Sequence, residues 1–255
     1  MEAMQSLLHD AQQQPGNLAH TLQQLRQQCV PEDDCDALIR MALAGYADAD
    51  FAALVEQAMA RLPLYEIAMQ ELVMSMRQPP RERYDAIHAL REQTLGRDVT
   101  EALFGQEAAW AEYQFRYGEL METAAALSAT DRLAALNALR DASFGDYTDA
   151  LHQVEGIDGR YQRELALLLA GVEDASQRAQ ITRDLRHRHY PPEVIAQLEQ
   201  RDRQQQQNEQ RVLDYQQAVA ALQQDMDAVR STLPDQAWQQ QYEQALRQLR
   251  AQYFP

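Results

Sequence analysis

The chain has 255 residues, of which 45% are hydrophobic and 7% aromatic, and it contains 9 glycines and 9 prolines. Ala, Leu, Gln, Glu and Arg dominate, and no convincing alternating run indicates a strand, so the composition predicts an all-α protein. A net charge of −16 argues against nucleic acid as a partner, because phosphate binding needs a basic face. No stretch reaches the roughly 20 apolar residues that span a bilayer, and no signal peptide is visible. We therefore expect either a cytosolic protein or an exported one whose leader or anchor is not in this chain.

Residues 1–77 are predicted to form an N-terminal helical mini-domain. Pro15-Gly16 and Pro31 end its first two helices, because both are strong helix breakers. The next starts are expected at capping residues, in chain order Asn17, Asp33 or Asp34, and Asp48 or Asp50. Pro63 suits a first helical turn and is predicted to begin a fifth helix. The inward stripe of that fifth helix would be Leu64, Ile67, Ala68, Leu72 and Met76.

Two cysteines, Cys29 and Cys35, flank a short segment of the mini-domain. They could close a small disulfide loop in an oxidising compartment, and two free thiols are the alternative. Zinc would need more ligands, and only His20 is near in sequence, so no metal site is expected.

Residues 78–190 are predicted to form extended helical hairpins. A helix should end at Gly96, and a short piece ending at Glu107 should precede a separate helix with an aromatic stripe, which includes Trp110, Tyr113 and Tyr117. Such a stripe is usually core, but Trp and Tyr are also enriched in binding hot spots. If the stripe faces a partner, replacing Trp110 and Tyr117 with Ala should weaken partner binding more than it lowers the melting temperature.

The unit Leu-Arg-x-x-x-(Leu or aromatic) occurs four times, and each copy is predicted to end a helix at a chain reversal. The copies begin at Leu90, Leu139, Leu185 and Leu249. Their irregular spacing excludes a solenoid of fixed period. A long helix is also expected over roughly residues 146–170, with a break at Gly156 or Gly159. Its inward residues would be Leu151, Val154, Tyr161, Leu165 and Leu168.

Residues 191–233 are predicted to form a long arm helix. Pro191-Pro192 suits its start, and one helix of about 40 residues would be about 60 Å long. Residues 201–211 offer no apolar position, which indicates either a helix that crosses solvent or a loop. Residues 212–233 carry an apolar seam with 3-4 spacing, which suits a coiled-coil dimer or packing within the chain. A C-terminal helix of the second module is expected over 234–255.

The order of these features resembles the lipase-specific foldases, the steric chaperones of secreted bacterial lipases. The most specific match is Leu90-Arg-Glu-Gln-Thr-Leu-Gly96, followed by Ala102-Leu-Phe-Gly-Gln-Glu107 and an aromatic helix. The segments Leu127–Arg132 and Leu139–Phe144 match as well. The resemblance implies an all-α protein with two small helical modules joined by an extended, non-globular arrangement of long helices, which wraps a secreted lipase. It also implies a periplasmic location, usually with an inner-membrane anchor that is absent from this chain.

The family motif Arg-x-x-Phe-Asp-Tyr-x-Leu-Ser-Ala-x-Gly-Glu should fall on residues 32–44. Asp36 matches its acid and Leu38 and Ile39 match hydrophobic positions loosely, whereas its Arg, Phe and Tyr are not found here. The predicted partner-binding residues of the whole chain are Asp36, Leu38, Ile39, Tyr84, Phe104, Trp110, Tyr113, Tyr117 and Trp238.

No Gly-x-Ser-x-Gly, Gly-x-Gly-x-x-Gly or Walker-type loop occurs in the sequence. His187 and His189 are two residues apart and therefore do not share a helix face. We expect no catalytic residue, no metal and no cofactor. Two functions remain: a foldase for a secreted lipase or related hydrolase, or a cytoplasmic helical scaffold or adaptor that acts through coiled-coil-like contacts.

Overall fold

A computed structural model describes residues 2–30, 34–75 and 77–254 of the chain. These residues form eleven α-helices and three single-turn 3-10 helices, and none of them lies in a strand. The all-α prediction is therefore confirmed. Over the same residues, no helix combines the length and the apolar content that crossing a membrane requires. The chain divides into two compact units, unit 1 (Met1–Thr182) and unit 2 (Arg183–Pro255).

Unit 1 begins with α1 (Glu2–Gln13), α2 (Leu18–Gln27), α3 (Cys35–Leu43) and α4 (Ala49–Glu71). Predicted caps start two of them: Asp34 accepts a hydrogen bond from the N–H of Ala37, and Asp48 accepts one from the N–H of Phe51, each at 3.0 Å. Asn17 occupies the N-cap position of α2 but makes no side-chain cap bond. Three residues of the boundary predictions lie outside the described part of the chain: Pro31, Asp33 and Met76.

The next helices are α5 (Pro80–Leu95), α6 (Arg97–Thr123), α7 (Ala129–Phe144), α8 (Thr148–Leu169) and α9 (Ala175–His189). The predicted break after Glu107 is wrong, because α6 runs unbroken through it. Gly105 is the weakest helix former in the segment that was expected to end there, and one interior glycine costs only about 1 kcal/mol relative to alanine. The real corner lies at Gly96, whose φ of 80° few other residues adopt readily.

Two hydrophobic cores hold unit 1 together. The first includes Leu8, Leu22, Leu25, Ile39, Val55, Leu95 and Leu103, so the predicted mini-domain shares its core with α5 and α6. The second includes Tyr113, Leu136, Phe144, Leu151 and Leu167, contributed by α6, α7 and α8.

The prediction that Pro63 begins a helix is wrong, because Pro63 lies inside the continuous helix α4. A proline there removes one backbone hydrogen bond, at a cost of about 3 kcal/mol. The buried side chains on both sides of it, Leu62 and Tyr65, lie in the first core and offset that cost. With α4 continuous, its inward face follows Val55, and the predicted core residues Leu64 and Ile67 point to solvent.

Gly156 interrupts α8, as one of the two predicted alternatives states. Its φ of 62° and ψ of 179° kink the helix. The kink shifts the helical register, so Val154, which was predicted to face inward, is exposed instead. Glu155, its neighbour, is buried.

Cys29 and Cys35 form a disulfide, so the first of the two alternatives for these cysteines holds in this structure. The bond ties the end of α2 to the first residue of α3. Since the sequence separation is 6, the closed loop is short and the disulfide restricts the unfolded chain only modestly.

We expect the variant Cys29→Ala/Cys35→Ala to unfold with a free energy lower by about 2 kcal/mol, from the loop-closure entropy of a loop this short. Urea unfolding followed by circular dichroism measures the difference. Dithiothreitol should lower the stability of the wild-type chain by the same amount and leave the variant unchanged. An effect of the reductant on the variant would show that the disulfide is not its cause.

Unit 2 contains α10 (Pro192–Ala228) and α11 (Asp235–Tyr253). The loop alternative for residues 201–211 is wrong, because these residues are helical throughout. With 37 residues, α10 is about 56 Å long. Its polar middle is supported by side-chain pairs one turn apart, such as Gln205 to Glu209 at 2.9 Å.

The apolar seam of α10 packs against α11. The ring of Tyr215 lies 5.7 Å from that of Tyr253 and 5.2 Å from that of Phe254, measured between centroids. The intramolecular alternative for the seam is thus the one that this structure shows. The long helix predicted over 191–233 ends earlier, at Ala228, and a 3-10 turn follows at Arg230–Thr232. The extended arrangement of the whole chain stays a prediction.

All four Leu-Arg units end a helix, as predicted. The first two reach the last residues of α5 and α7, which are Leu95 and Phe144. The third ends at Tyr190, one residue after α9, and the fourth at Phe254, one residue after α11.

Candidate partner-binding surfaces

The motif with the most specific family resemblance, residues 90–96 and 102–107, holds α5 and α6 together. Arg91 makes two hydrogen bonds to Glu107, at 2.8 and 3.2 Å, and its Nε donates to the hydroxyl of Tyr65 at 3.1 Å. The guanidinium lies 3.9 Å from the ring centroid of Phe104. Burial disfavours the charge on Arg91, but the bonds to Glu107 and Tyr65 outweigh it and raise its pKa. The predicted site residue Phe104 therefore supports an internal ion pair.

Gln106, which is also part of the motif, attaches α6 to the turn between α1 and α2. The backbone N–H of Gln106 donates to the carbonyl of Gly16 at 2.9 Å, and its side chain donates to the carbonyl of Pro15 at 2.9 Å. Gly105 leaves room for the hydroxyl of Tyr147, which a Cβ at this position would overlap. The motif thus makes structural contacts within unit 1 through Arg91, Phe104, Gly105, Gln106 and Glu107.

The Leu127–Arg132 segment has a similar role. Ser128 caps α7, accepting from the N–H of Asp131 at 3.2 Å. Arg132 is buried and donates to the carbonyls of Leu127 at 3.0 Å and Leu167 at 3.1 Å. One side chain therefore satisfies carbonyls at the start of α7 and at the end of α8.

The predicted aromatic stripe of α6 lies in the second core. Arg163 of α8 stacks on all three rings, with its guanidinium 5.0 Å from the centroid of Trp110, 5.4 Å from Tyr113 and 5.8 Å from Tyr117. Tyr113 is fully buried, and the hydroxyl of Tyr117 donates to the carbonyl of Arg163 at 2.9 Å. These contacts favour the core alternative, and Tyr113 itself offers no surface to a partner.

With the stripe in the core, the expected outcome of its truncation changes. Trp110→Ala should lower the free energy of unfolding by about 3 kcal/mol, as removal of a packed aromatic ring does. Tyr117→Phe should cost about 1 kcal/mol, because it removes only the hydrogen bond to the backbone. Chemical unfolding measures both values. A Trp110→Ala variant with unchanged stability but weakened partner binding would restore the partner-facing interpretation.

A buried ionic cluster lies behind the stripe. Glu155 has no exposed side-chain surface, and its carboxylate pairs with Arg140 at 3.0 Å and accepts from the hydroxyl of Tyr113 at 2.8 Å. Arg140 also contacts Glu164 at 3.3 Å. Burial opposes the charge on Arg140, yet its hydrogen bond to Glu155 and the nearby negative groups raise its pKa. Burial, followed by the bond to Glu155, raises the pKa of Tyr113 well above its usual range.

The three predicted partner residues that align with the family's first-module motif, Asp36, Leu38 and Ile39, lie on α3. Asp36 is half-exposed and lies 4.0 Å from Arg26 of α2. Leu38 packs partly against the first core, and Ile39 is fully buried in it, so Ile39 can only support a contact that its neighbours make. Met41 on the same helix is exposed, because it lies off the apolar stripe that Ile39, Ala42 and Leu43 form.

Tyr84, another predicted partner residue, packs within the hairpin of α5 and α6. Its ring lies 5.8 Å from that of Phe115 and stacks with His88 at 6.4 Å. Burial and then the nearby Glu107 raise the pKa of Tyr84. Like Phe104, it is partly engaged in contacts within unit 1.

Three of the exposed apolar residues of unit 1, Leu64, Ile67 and Val154, were predicted to face inward. Leu64 and Ile67 lie one turn apart on α4, with 60% and 56% of their surface exposed. Val154 and Ile157 flank the kink of α8 and are exposed to a similar degree. The exposure of Leu64 and Ile67 could have been predicted from the sequence. If the apolar stripe of the first half of α4 is continued past Pro63 in one helix, it runs along the opposite face.

In unit 2, Trp238 lies on the face of α11 that packs on α10. Its Nε1 donates to the carbonyl of Met226 at 2.6 Å, and its ring stacks with Tyr242 at 5.4 Å and lies 4.8 Å from the guanidinium of Arg230. Ring and guanidinium remain partly exposed, and no residue of α11 is buried. Two helices therefore leave this aromatic seam only partly covered.

These contacts define an all-helical protein whose recognisable motifs fix the joints between successive helices. The chain belongs to the proteobacterial lipase chaperone family, whose model matches residues 56–255, or 200 of the 255 residues. The match leaves out α3, where the family's first-module motif departs from its pattern. Searches of curated proteins and of solved structures return no match.

Proposed function

We propose that this chain is a steric chaperone that wraps a secreted lipase or related hydrolase and helps it to reach its active fold. The family match supports a lipase chaperone in general, and the proposal adds direct binding of the client by both units. The observation that carries it is the apolar surface left in water on each unit. A chaperone of this kind acts by contact, so the proposal assigns it no reaction of its own.

On unit 1 the proposed client surface is the pair Leu64 and Ile67 of α4. Isolated apolar residues on a surface are common and mean little. Two adjacent aliphatic side chains, each more than half exposed, form a small patch to which a client's apolar surface can dock. Both residues lie within the part of the chain that matches the family.

On unit 2 the proposed surface is the partly covered seam around Trp238 and Tyr242. Aromatic rings that are already stacked lose little conformational entropy on binding, which favours them as anchors. Because α10 and α11 cover the seam from two sides only, a client provides a third layer.

The proposed location is the periplasm, as in the family. The disulfide between Cys29 and Cys35 supports it, because such bonds persist in oxidising compartments and are rare in the cytosol. The cytoplasmic scaffold remains the second candidate, but its best feature, a free coiled-coil seam, is occupied by α11 in this structure.

Analytical ultracentrifugation distinguishes the two candidates. Lipase foldases are typically encoded beside their lipase, so the probe is the product of the neighbouring lipase gene, diluted from denaturant into a solution of the chain. We expect a one-to-one complex and a monomeric chain when the lipase is omitted. A concentration-dependent homodimer that ignores the lipase would favour the scaffold.

A further inference from the structure

Three of the four Leu-Arg units place their arginine against a carboxylate of the next helix. The acid lies 15 or 16 residues after the arginine in each case. We call these contacts the corner pairs: Arg91–Glu107 at 2.8 Å, Arg140–Glu155 at 3.0 Å and Arg186–Asp202 at 2.6 Å.

The arginines of the corner pairs are largely removed from water. Their side chains are 8%, 5% and 12% exposed in chain order. A guanidinium at such a position is costly without a carboxylate, since its lost hydration has to be replaced. The carboxylate is therefore as necessary to each junction between two helices as the leucine and the terminal side chain of the Leu-Arg unit.

The fourth unit repeats the corner without the pair. Phe254 packs edge-on against Tyr215 at 5.2 Å, as Phe144 packs against Tyr113 at 4.9 Å. Arg250, in contrast, is exposed, and it forms no ion pair with any carboxylate of the described residues.

The surroundings of Phe254 favour an anion. The guanidinium of Arg211 lies 5.5 Å from the centroid of its ring, and Arg250 lies one helical turn before it. Arg247, three residues before Arg250, is already paired with Glu243 at 3.8 Å. Arg250 and Arg211 are therefore the positive groups beside the ring of Phe254 that can attract an acidic group of a partner.

We propose that Arg250, with Phe254 and Arg211 beside it, binds a carboxylate of the client lipase. The client's acid takes the place that the chain's own acid fills in the corner pairs. The planar fork of arginine matches a carboxylate with two parallel hydrogen bonds, and the exposed edge of Phe254 covers the apolar side of the contact. This inference rests on the proposed chaperone function and names one contact of the complex.

The test compares two charge reversals on α11, Arg250→Glu and Arg247→Glu. Arg247 is the matched control, because it is exposed on the same helix and pairs within it, with Glu243 at 3.8 Å. Isothermal titration of the full-length chain with the refolded lipase encoded beside its gene gives the Kd of each. Arg250→Glu should raise Kd at least about tenfold, as reversal of one member of an interfacial ion pair does. Arg247→Glu should change it less than about threefold.

Three results would overturn the inference: an unchanged Kd for Arg250→Glu, an equal rise for both variants, or an effect limited to self-association of the chain. The melting temperature of both variants should stay at the wild-type value, since both side chains are exposed. A wild-type chain that does not bind the lipase would overturn the chaperone function itself, together with this contact. Binding that is normal in wild type and in Arg250→Glu would overturn only the contact.

Discussion

Replacing Glu155 with alanine is expected to lower the free energy of unfolding by about 3 to 5 kcal/mol, the largest stability loss that we predict for a single residue. The carboxylate is fully buried and pairs with Arg140 at 3.0 Å, so its removal leaves a guanidinium without its main partner inside the second core. The hydroxyl of Tyr113 loses its acceptor as well. Urea unfolding followed by near-ultraviolet circular dichroism measures the loss, because Trp110 and Tyr113 both lie in that core.

A second ion pair of unit 1 provides the control for this prediction. Glu112 pairs with Arg81 at 2.8 Å, but both side chains are about two-fifths exposed. Glu112→Ala should therefore cost less than about 1 kcal/mol. Equal losses for the two variants would mean that burial does not determine the strength of the Glu155 cluster.

The double variant Leu64→Asp/Ile67→Asp is expected to reduce lipase activation to about a tenth or less while the chain stays folded. Both residues are already more than half exposed, so the substitution buries no charge in the free protein. On binding, however, two carboxylates would have to enter an apolar contact, and burial of an unpaired charge is very unfavourable. The activity of lipase refolded in the presence of each variant measures the effect.

Two other exposed positions of α4 provide the matched control. Ala49→Asp/Ala53→Asp adds the same two charges to the same helix, about three turns or more before Leu64, and leaves Leu64 and Ile67 in place. Its activation should remain within about twofold of wild type, as expected for surface substitutions away from a contact. If both double variants lose activation equally, added charge explains the effect and the patch on α4 is not a client surface.

Local chemistry made much of the fold predictable from the sequence. Asp34 and Asp48 cap helices because a short side-chain oxygen can reach the free N–H groups of a first turn. The Leu-Arg units end helices where predicted, and the helicity of α10 follows from its lack of Gly and Pro after its first turn. These features depend on residues close together in the chain.

Errors arose where tertiary packing outweighs a local signal. Pro63 is a helix breaker by itself, but buried neighbours on both sides keep α4 continuous. Leu64 and Ile67 are exposed because the inward face of α4 continues unchanged through Pro63, whereas the sequence prediction started a new inward face at that proline. In the same way, the aromatic stripe of α6 could face a core or a partner, and only Arg163 of α8 decides between them.

The corner pairs could have been found in the sequence. Each buried arginine is followed by an acid 15 or 16 residues later, about the distance from the end of one helix to the facing turn of the next. The repeat was visible from its leucine and its terminal ring alone. The acids were missed because a carboxylate is ordinarily a surface residue and the sequence contains 39 of them.

The recovery of esterase activity by refolding lipase tests whether this chain acts as a lipase chaperone. The lipase encoded beside this chain's gene is denatured and diluted with the chain, with an equal amount of an unrelated helical protein, or alone. We expect high activity only with this chain, in proportion to the amount added up to one chain per lipase. Activity no greater than that of lipase refolded alone would contradict it.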